Sequence, residues 1–264
     1  MGQFDSDTAV ERVQDNLYRG EVAEGWRVGS VPNGGYLLAI AGRALGQALP
    51  HADPLSVNAF FLAPADLGPI ECRIEVLRVG GSTSFAEAGL YQSGELKVKV
   101  TAAYTDLDAL QGENWTAVQR PACPPWDACE ASPQKGLEFR KLAELRLVSG
   151  RQVFTERRAD GSGEFLGWLA HGDGADADAL SLLMFADAMP PPVFTVLGPV
   201  GWVPTVEITV QVRARPAPGP LLARVSCRHL TRGVVEEDGE IWDSAGNLVA
   251  ISRQTAKARL PRKK

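Results

Sequence analysis

The sequence is poor in the residues that mark disulfide-rich, metal-binding and Ser-His hydrolytic proteins. Its 264 residues include only four cysteines and three histidines. The cysteines are scattered and form no C-x-x-C pair, which favours reduced thiols. Cys123 and Cys129 flank a Pro-rich turn and are the one pair with an alternative, as a disulfide or metal site. No G-x-S-x-G motif is present, which disfavours an α/β-hydrolase. We therefore expect no metal and no organic cofactor.

Long apolar runs and a strong excess of positive charge are also missing. Without about 18 consecutive apolar residues, no membrane span is expected. The first residues, MGQFDSDTAVERVQDN, are polar and acidic, unlike a secretory signal, so we expect a cytoplasmic protein. A net charge of −5 and a pI near 5.4 argue against a nucleic-acid partner.

Charge is unevenly distributed along the chain. Residues 205–264 contain eleven Lys/Arg and six Asp/Glu. Four of these arginines, Arg213, Arg215, Arg224 and Arg228, lie in segments that read as strands. A basic surface at these positions would suit a phosphorylated small ligand.

The chain contains an internal repeat with an offset of 152 residues. The stretch LYQSGELKVKVTAAY (90–104) is similar to IWDSAGNLVAISRQTAK (241–257), and Gly94 aligns with Gly246. Two long strand patterns, LSVNAFFLAP (55–64) and PTVEITVQVRARP (204–216), precede these hairpins. A repeat of this kind predicts two structurally related halves.

Each half begins with a predicted helix that is apolar on most sides and therefore buried. The first, 34–49, starts at Gly34-Gly35, and the second, 176–189, is ended by three prolines. The segment 119–136 is rich in Pro and small residues. The sequence thus predicts an N-terminal domain at 1–120, a linker at 121–136 and a C-terminal domain at 137–264.

Gln254 is out of place in its strand. Because strand side chains alternate, Leu96, Val98, Val100 and Ala102 share one face, and Lys97 and Lys99 occupy the other. Lysine is rarely buried, so the first face is the inner one. At the repeat offset, Ala102 becomes Gln254. An amide is therefore expected inside, where it needs hydrogen-bond partners.

In order and spacing, these segments resemble the type II acyl-CoA thioesterases, the double-hotdog family. The resemblance runs from about Tyr18 to Arg259 and rests on GGYLLAIAGRAL, LSVNAFFLAPAD, FADAM, VPTVEIT and GEIWDSAGNLVAISRQ together. It implies an α+β fold of two tandem hotdogs, each a curved antiparallel sheet around a long central helix. It also implies hydrolysis of acyl-CoA to a free acid and CoA, in fatty acid metabolism.

The family's catalytic set, an Asp, a Thr or Ser and a Gln, corresponds by motif to Asp187, Thr205 and Gln254. In this mechanism a water attacks the thioester carbonyl, Asp187 is the general base, Gln254 and Thr205 orient the water, and a backbone N–H stabilises the oxyanion. Loss of hydration on an apolar helix would raise the pKa of Asp187. The first half lacks this set, so one active site per chain is expected.

Alternatives remain at each position. Asp187 can instead face water in the last turn before the prolines. Thr209 lies on the same strand face as Thr205 and can replace it. Gly34-Gly35 either lets the chain enter the helix tightly or binds an oxyanion or phosphate of the substrate.

Two rival functions fit the same fold. One is a non-catalytic acyl-CoA (thioester) binding protein. The other is a dehydratase acting on 3-hydroxyacyl-CoA, which would need a histidine beside the acid. Because hotdog sheets have edge strands that pair, a homodimer or larger homo-oligomer is expected.

Overall fold

The structure, a computed structural model, describes residues 2–134, 137–199 and 201–259. The first half contains two helices and eight strands: α1 (Gln3–Asp7), β1 (Val10–Gln14), β2 (Leu17–Val22), β3 (Arg27–Val28), β4 (Val31–Pro32), α2 (Gly34–Ala48), β5 (Asp53–Phe61), β6 (Gly68–Val79), β7 (Thr83–Gln92) and β8 (Glu95–Thr105).

The second half contains four short helices and seven strands: α3 (Phe139–Leu142), β9 (Ala143–Leu147), α4 (Gln152–Thr155), β10 (Glu164–His171), α5 (Ser181–Phe185), α6 (Phe194–Leu197), β11 (Thr205–Val212), β12 (Leu221–Ser226), β13 (Leu230–Thr231), β14 (Val234–Trp242) and β15 (Leu248–Lys257). Single 3₁₀ turns lie at Glu24–Trp26, Leu107–Ala109 and Trp126–Ala128.

One antiparallel sheet joins the two halves. Its strand order is β1-β2-β6-β7-β8-β5-β11-β15-β14-β12-β10-β9, with β13 paired to β14 outside that path. The halves meet where β5 pairs with β11, at Val57 opposite Val210. This pairing lies inside the chain, and β1 and β9 end the sheet. The expected homo-oligomer therefore stays a prediction.

Helix α2 is the main helix of the core. Asn33 caps it by accepting a 2.9 Å bond from the Tyr36 amide, as expected for a short amide side chain at an N-cap. Residues 35–42 of the helix are all buried, against the inner faces of β5 to β8. The predicted helix at 34–49 is thus confirmed.

The predicted helix at 176–189 is much shorter in the structure. Only Ser181–Phe185 is α-helical, with turns on both sides. The helix begins at Ser181, whose amide and hydroxyl donate 2.6 Å and 2.7 Å bonds to the Asp178 carboxylate. At the repeat offset, α2 corresponds to residues 186–200, which are interrupted by Pro190, Pro191 and Pro192. Proline removes an N–H donor and clashes with the preceding turn, so no long central helix is present among the described residues of the second half.

The inner strand faces follow the predicted alternation. Ile208, Val210 and Val212 of β11 are buried, as are Ala250 and Gln254 of β15. One premise was wrong: Lys97, taken as an exposed residue, is only 8% exposed and pairs with Glu95 at 2.6 Å. The inner face of β8 was nevertheless identified correctly.

The Pro-rich segment is packed against the sheet. Trp126, Cys123 and Cys129 cover an apolar cluster on the second half, made of Leu166, Trp168, Leu222 and Trp242. The Trp168 indole donates a 2.9 Å bond to the Pro124 carbonyl. Both cysteines are free thiols.

Among the described residues, no helix is both long and apolar enough to span a membrane.

Candidate active site

A cavity of about 460 Å³ lies where the two halves meet. Its wall includes Asp187, Thr205 and Gln254, together with Asn33 and Gly34 from the start of α2. Much of the remaining wall is apolar, with contributions from Val28, Val31, Leu37, Phe61, Leu137, Phe139, Met189, Phe194 and Val203. The three predicted site residues, distant in sequence, therefore share one cavity of ligand size.

Asp187 lies in the turn that follows α5 and faces the start of α2. Its Oδ2 accepts 3.0 Å bonds from the Gly35 amide and from Asn33 Nδ2. Asn33 Nδ2 also donates to the Asp187 main-chain oxygen at 2.9 Å. The side chain borders the cavity, so the alternative in which Asp187 faces bulk water is not what the structure shows.

The environment of Asp187 makes it a stronger base than an ordinary aspartate. Burial raises its pKa to about 6, while the amides of Gly35 and Gly34 and the Asn33 side chain lower the pKa by stabilising the carboxylate. The carboxylate thus predominates at neutral pH, and its pKa is close enough to 7 for efficient proton transfer.

The glycine pair packs the start of α2 tightly against this turn. A Cβ on Gly35 would lie 2.6 Å from the Met184 carbonyl oxygen and 2.9 Å from Asp187 Cβ. Only glycine allows this approach. The Gly35 amide bonds to Asp187, so in this structure it serves a protein carboxylate. Gly34 also borders the cavity, and its contact with substrate stays a prediction.

Thr205 reaches Gln254 through a bulge. Strict alternation would place the Thr205 side chain on the outer face of β11, away from the buried Ile208. The β11–β15 register shifts between Thr205 and Glu207, and this irregularity turns the Thr205 side chain inward. Its hydroxyl donates a 3.1 Å bond to Gln254 Oε1. Thr209, the alternative, instead accepts a 2.9 Å bond from Asn58 Nδ2 between β5 and β11.

Gln254 also binds a residue that the sequence analysis missed. Its Nε2 donates a 2.5 Å bond to Glu237 Oε2. Glu237 is 5% exposed, lies directly opposite Gln254 in the β14–β15 pair and borders the same cavity. Its sequence context, Glu236-Glu237-Asp238, looks like a solvated acidic run, and only the strand register shows which of the three points inward.

A cationic residue, Arg140, also lies on the cavity wall. Its Nε donates a 3.0 Å bond to Gln134, and its guanidinium lies 5.1 Å from the centre of the Phe139 ring. Nη1 is buried and has no hydrogen-bond partner among the described residues. Burial lowers the pKa of Arg140 to about 9, which still leaves a cation at pH 7.

Two of the four strand arginines that suggested a basic surface are paired with acids. Arg215 binds Asp53 at 2.8 Å, and Arg224 pairs with Glu240. These charges are matched by acids on the protein itself.

In the part of the chain that the structure describes, no histidine borders the cavity. His171 instead contacts Ser181, and His51 contacts Ser84. No described group of three His, Cys, Asp or Glu side chains is arranged to hold a metal.

The chain belongs to the acyl-CoA thioesterase family. The description "Acyl-CoA thioesterase N-terminal domain" matches residues 22–106, and "Acyl-CoA thioesterase C-terminal domain" matches residues 120–257. An uncharacterized protein of Mycobacterium tuberculosis is 28% identical, over 91% of this chain and 90% of its own length.

Solved structures share the whole architecture. A candidate thioesterase II from Thermobifida fusca superposes with a TM-score of 0.90 at 33% identity, covering 99% of this chain and 98% of that one. A hot dog fold protein of Alicyclobacillus acidocaldarius gives 0.88 at 23% identity, covering 99% of each chain. The acyl-CoA thioesterase II TesB2 of Mycobacterium marinum gives 0.77 at 20% identity, covering 98% and 99%. The predicted α+β double-hotdog fold is confirmed, although the helix of the second half is short.

Proposed function

We propose that the protein hydrolyses acyl-CoA thioesters with a water activated by Asp187 and oriented by Thr205 and Gln254. The observation that carries the proposal is the position of these three residues on one cavity. The Asp187 carboxylate there has a pKa of about 6.

The hydrogen bonds support a defined geometry for the attacking water. Asp187 Oδ2 is engaged by Gly35 and Asn33, which leaves Oδ1 available to accept a proton from the water. The Thr205 hydroxyl hydrogen is directed to Gln254, so the Thr205 oxygen can only accept. Gln254 Nε2 uses one hydrogen on Glu237 and keeps a second to donate. Two acceptors and one donor suffice to orient the water, leaving a lone pair for the carbonyl carbon.

The character of the cavity supports an acyl-CoA as substrate. Its apolar wall suits an acyl chain, which gains free energy when it leaves water. Arg140, whose Nη1 has no partner in the described part of the chain, and Arg259 supply cations on the same wall, and the CoA phosphates would pair with such groups. These features favour a thioester that carries both an apolar and an anionic part.

The test is release of free thiol from acyl-CoAs of increasing chain length. Asp187→Asn is expected to reduce kcat by roughly 10²–10⁴-fold, because it removes the general base. Gln254→Ala is expected to reduce kcat at least about tenfold, because it removes the group that donates a hydrogen bond to the water. Asp238→Asn, on the outer face of β14 and paired with Arg253, is the matched control and retains activity. Circular dichroism verifies that each variant folds.

Two results would contradict the proposal. Wild-type activity in both variants would exclude these residues from the reaction. Binding of acyl-CoA without turnover by the wild-type protein would instead support the non-catalytic thioester-binding protein.

A further inference from the structure

Glu237 is a buried carboxyl group that the water-activating mechanism leaves without a role. Its Oε2 accepts the Gln254 amide, whereas its Oε1 is buried and has no hydrogen-bond partner among the described residues. A buried polar atom without a partner costs about 1–3 kcal/mol, so such an atom in a residue that borders the cavity calls for an explanation.

The first half shows that the fold does not require a carboxyl group here. In the β7–β8 pair, the buried Ala86 lies opposite the buried Ala102. Glu237 lies opposite Gln254 at the corresponding place in the β14–β15 pair. An apolar pair in one half is thus replaced by an acid and an amide in the half that carries Asp187.

The surroundings of Glu237 favour its neutral form. Burial raises the pKa of Glu237 to about 8; the Gln254 amide lowers it, and the charges of Asp187 and Glu236 raise it further. At pH 7 the group therefore carries a proton. Because Oε2 accepts an N–H bond, the hydrogen belongs on Oε1, which has no partner among the residues described.

The Cys227 thiol is another ionisable group that interacts with this carboxyl. Burial raises the pKa of the Cys227 thiol to about 11, so this residue stays neutral over the working range. The cations on the cavity wall are Arg140 and Arg259.

The proposed reaction needs a donor for the carbonyl oxygen, which becomes an oxyanion when water attacks. At the start of α2 the Gly35 amide is not free for this task, because it bonds to the Asp187 carboxylate. A neutral carboxylic acid held in an apolar site is an effective oxyanion donor.

We propose that Glu237 is the oxyanion donor of the site, with its Oε1–H group bonding to the thioester carbonyl oxygen while its Oε2 holds the Gln254 amide. This inference rests on the proposed thioesterase activity and adds a catalytic residue to it. No covalent bond to Glu237 forms: the hydrogen bond shortens as negative charge develops on the oxygen and relaxes when the thiolate leaves.

Two substitutions test the donor role. Because Glu237→Met also removes the acceptor for Gln254, the pH profile is needed to separate the two roles. Glu237→Gln keeps an acceptor for Gln254 and a donor N–H for the oxyanion but cannot ionise, so kcat at pH 7 is expected to stay within about tenfold of wild type. Glu237→Met removes the donor and should reduce kcat by roughly 10²–10³-fold, with little change in KM. Glu240→Gln, on the outer face of the same strand, is the control and leaves kcat unchanged.

The pH profile gives a second, independent readout. In the wild type, kcat/KM is expected to fall above pH 8, because ionised Glu237 loses its donor and places a second negative charge near Asp187. Glu237→Gln abolishes this basic limb but retains the acidic limb near pH 6.

Three results would overturn the inference: full activity in Glu237→Met, equal inactivation by Gln and Met, or a basic limb that persists in Glu237→Gln. If Glu237→Met does not fold, the Gln profile alone decides. A wild type without thioesterase activity would refute the proposed function itself, and is distinguished from these outcomes by the wild-type assay.

Discussion

Asp187→Asn should abolish activity and at the same time stabilise the protein. The carboxylate is held on the wall of a largely apolar cavity, where its charged form has lost hydration. An asparagine has the same shape, and its Oδ1 accepts the bonds that Gly35 and Asn33 now give to Asp187 Oδ2. The substitution therefore removes the charge and keeps the contacts.

The pKa of Asp187 sets the magnitude. It is about 6 in the folded protein, compared with 3.8 for an unperturbed aspartate. Because the pKa is higher in the folded than in the unfolded protein, ionisation of Asp187 lowers the free energy of unfolding. The loss is zero at low pH, where Asp187 is protonated in the folded and the unfolded protein, and about 3 kcal/mol above pH 6. Relieving this cost is worth up to roughly 6–12 °C in Tm.

Urea unfolding at several pH values between 4 and 8 tests the sign as well as the size. The stability gain of Asp187→Asn should be below about 1 kcal/mol near pH 4 and approach its full value near pH 7. Asp238→Asn is a control with the opposite expected sign, because the bond from Arg253 lowers the pKa of Asp238. Removing the Asp238 charge should therefore lower the free energy of unfolding above pH 4, by less than about 1 kcal/mol for a pair this exposed. A gain that does not grow with pH would refute a desolvated Asp187.

Two further predictions concern the start of α2 and the cationic wall. Gly35→Ala should lower the free energy of unfolding, measured in urea, by about 1–3 kcal/mol, because the new Cβ would lie 2.6 Å from the Met184 carbonyl oxygen. Gly81→Ala is the control and should leave stability unchanged, because the space around Gly81 is open. Unchanged stability in Gly35→Ala would contradict the tight approach. Arg140→Gln should raise KM for acyl-CoA by about tenfold, but should leave KM unchanged for the matching N-acetylcysteamine thioester, which lacks phosphates. Lys141→Gln is the control for this substitution. An equal rise in KM for both substrates would exclude a contact between Arg140 and a phosphate.

Much of the fold could be predicted because it depends on repeated local patterns. Alternation placed the inner faces of the long strands, and the 152-residue offset identified Gln254 as an inward amide. The predicted length of the second helix was wrong because apolar composition alone does not reveal where a helix begins and ends. The helix begins at Ser181, whose amide donates to the Asp178 side chain. Asp187 lies beyond its end, where the carboxylate bonds to the Gly35 amide of α2.

The site depended on features that a sequence does not display. A one-residue bulge turns Thr205 inward, against the alternation of its strand. Glu237 lies within an acidic run, and its direction follows from register with Gln254. Arg140 comes from a short helix outside the repeat. Only Asn33 carried a usable signal, as an N-cap beside a glycine pair, and that signal did not indicate its bond to Asp187.

The repeat also explains why the halves are unequal. Gly35 and Asp187 are 152 residues apart, which is the repeat offset, and they touch each other. Equivalent positions of the two halves thus meet where the halves join. Two aspartates at this contact would repel one another and leave neither with an N–H donor. A glycine on one side supplies both the space and the amide that hold the acid on the other. The counterparts of Glu237 and Gln254, Ala86 and Ala102, are likewise unable to bind a water. One site per chain is therefore the expected consequence of joining two related halves around Asp187.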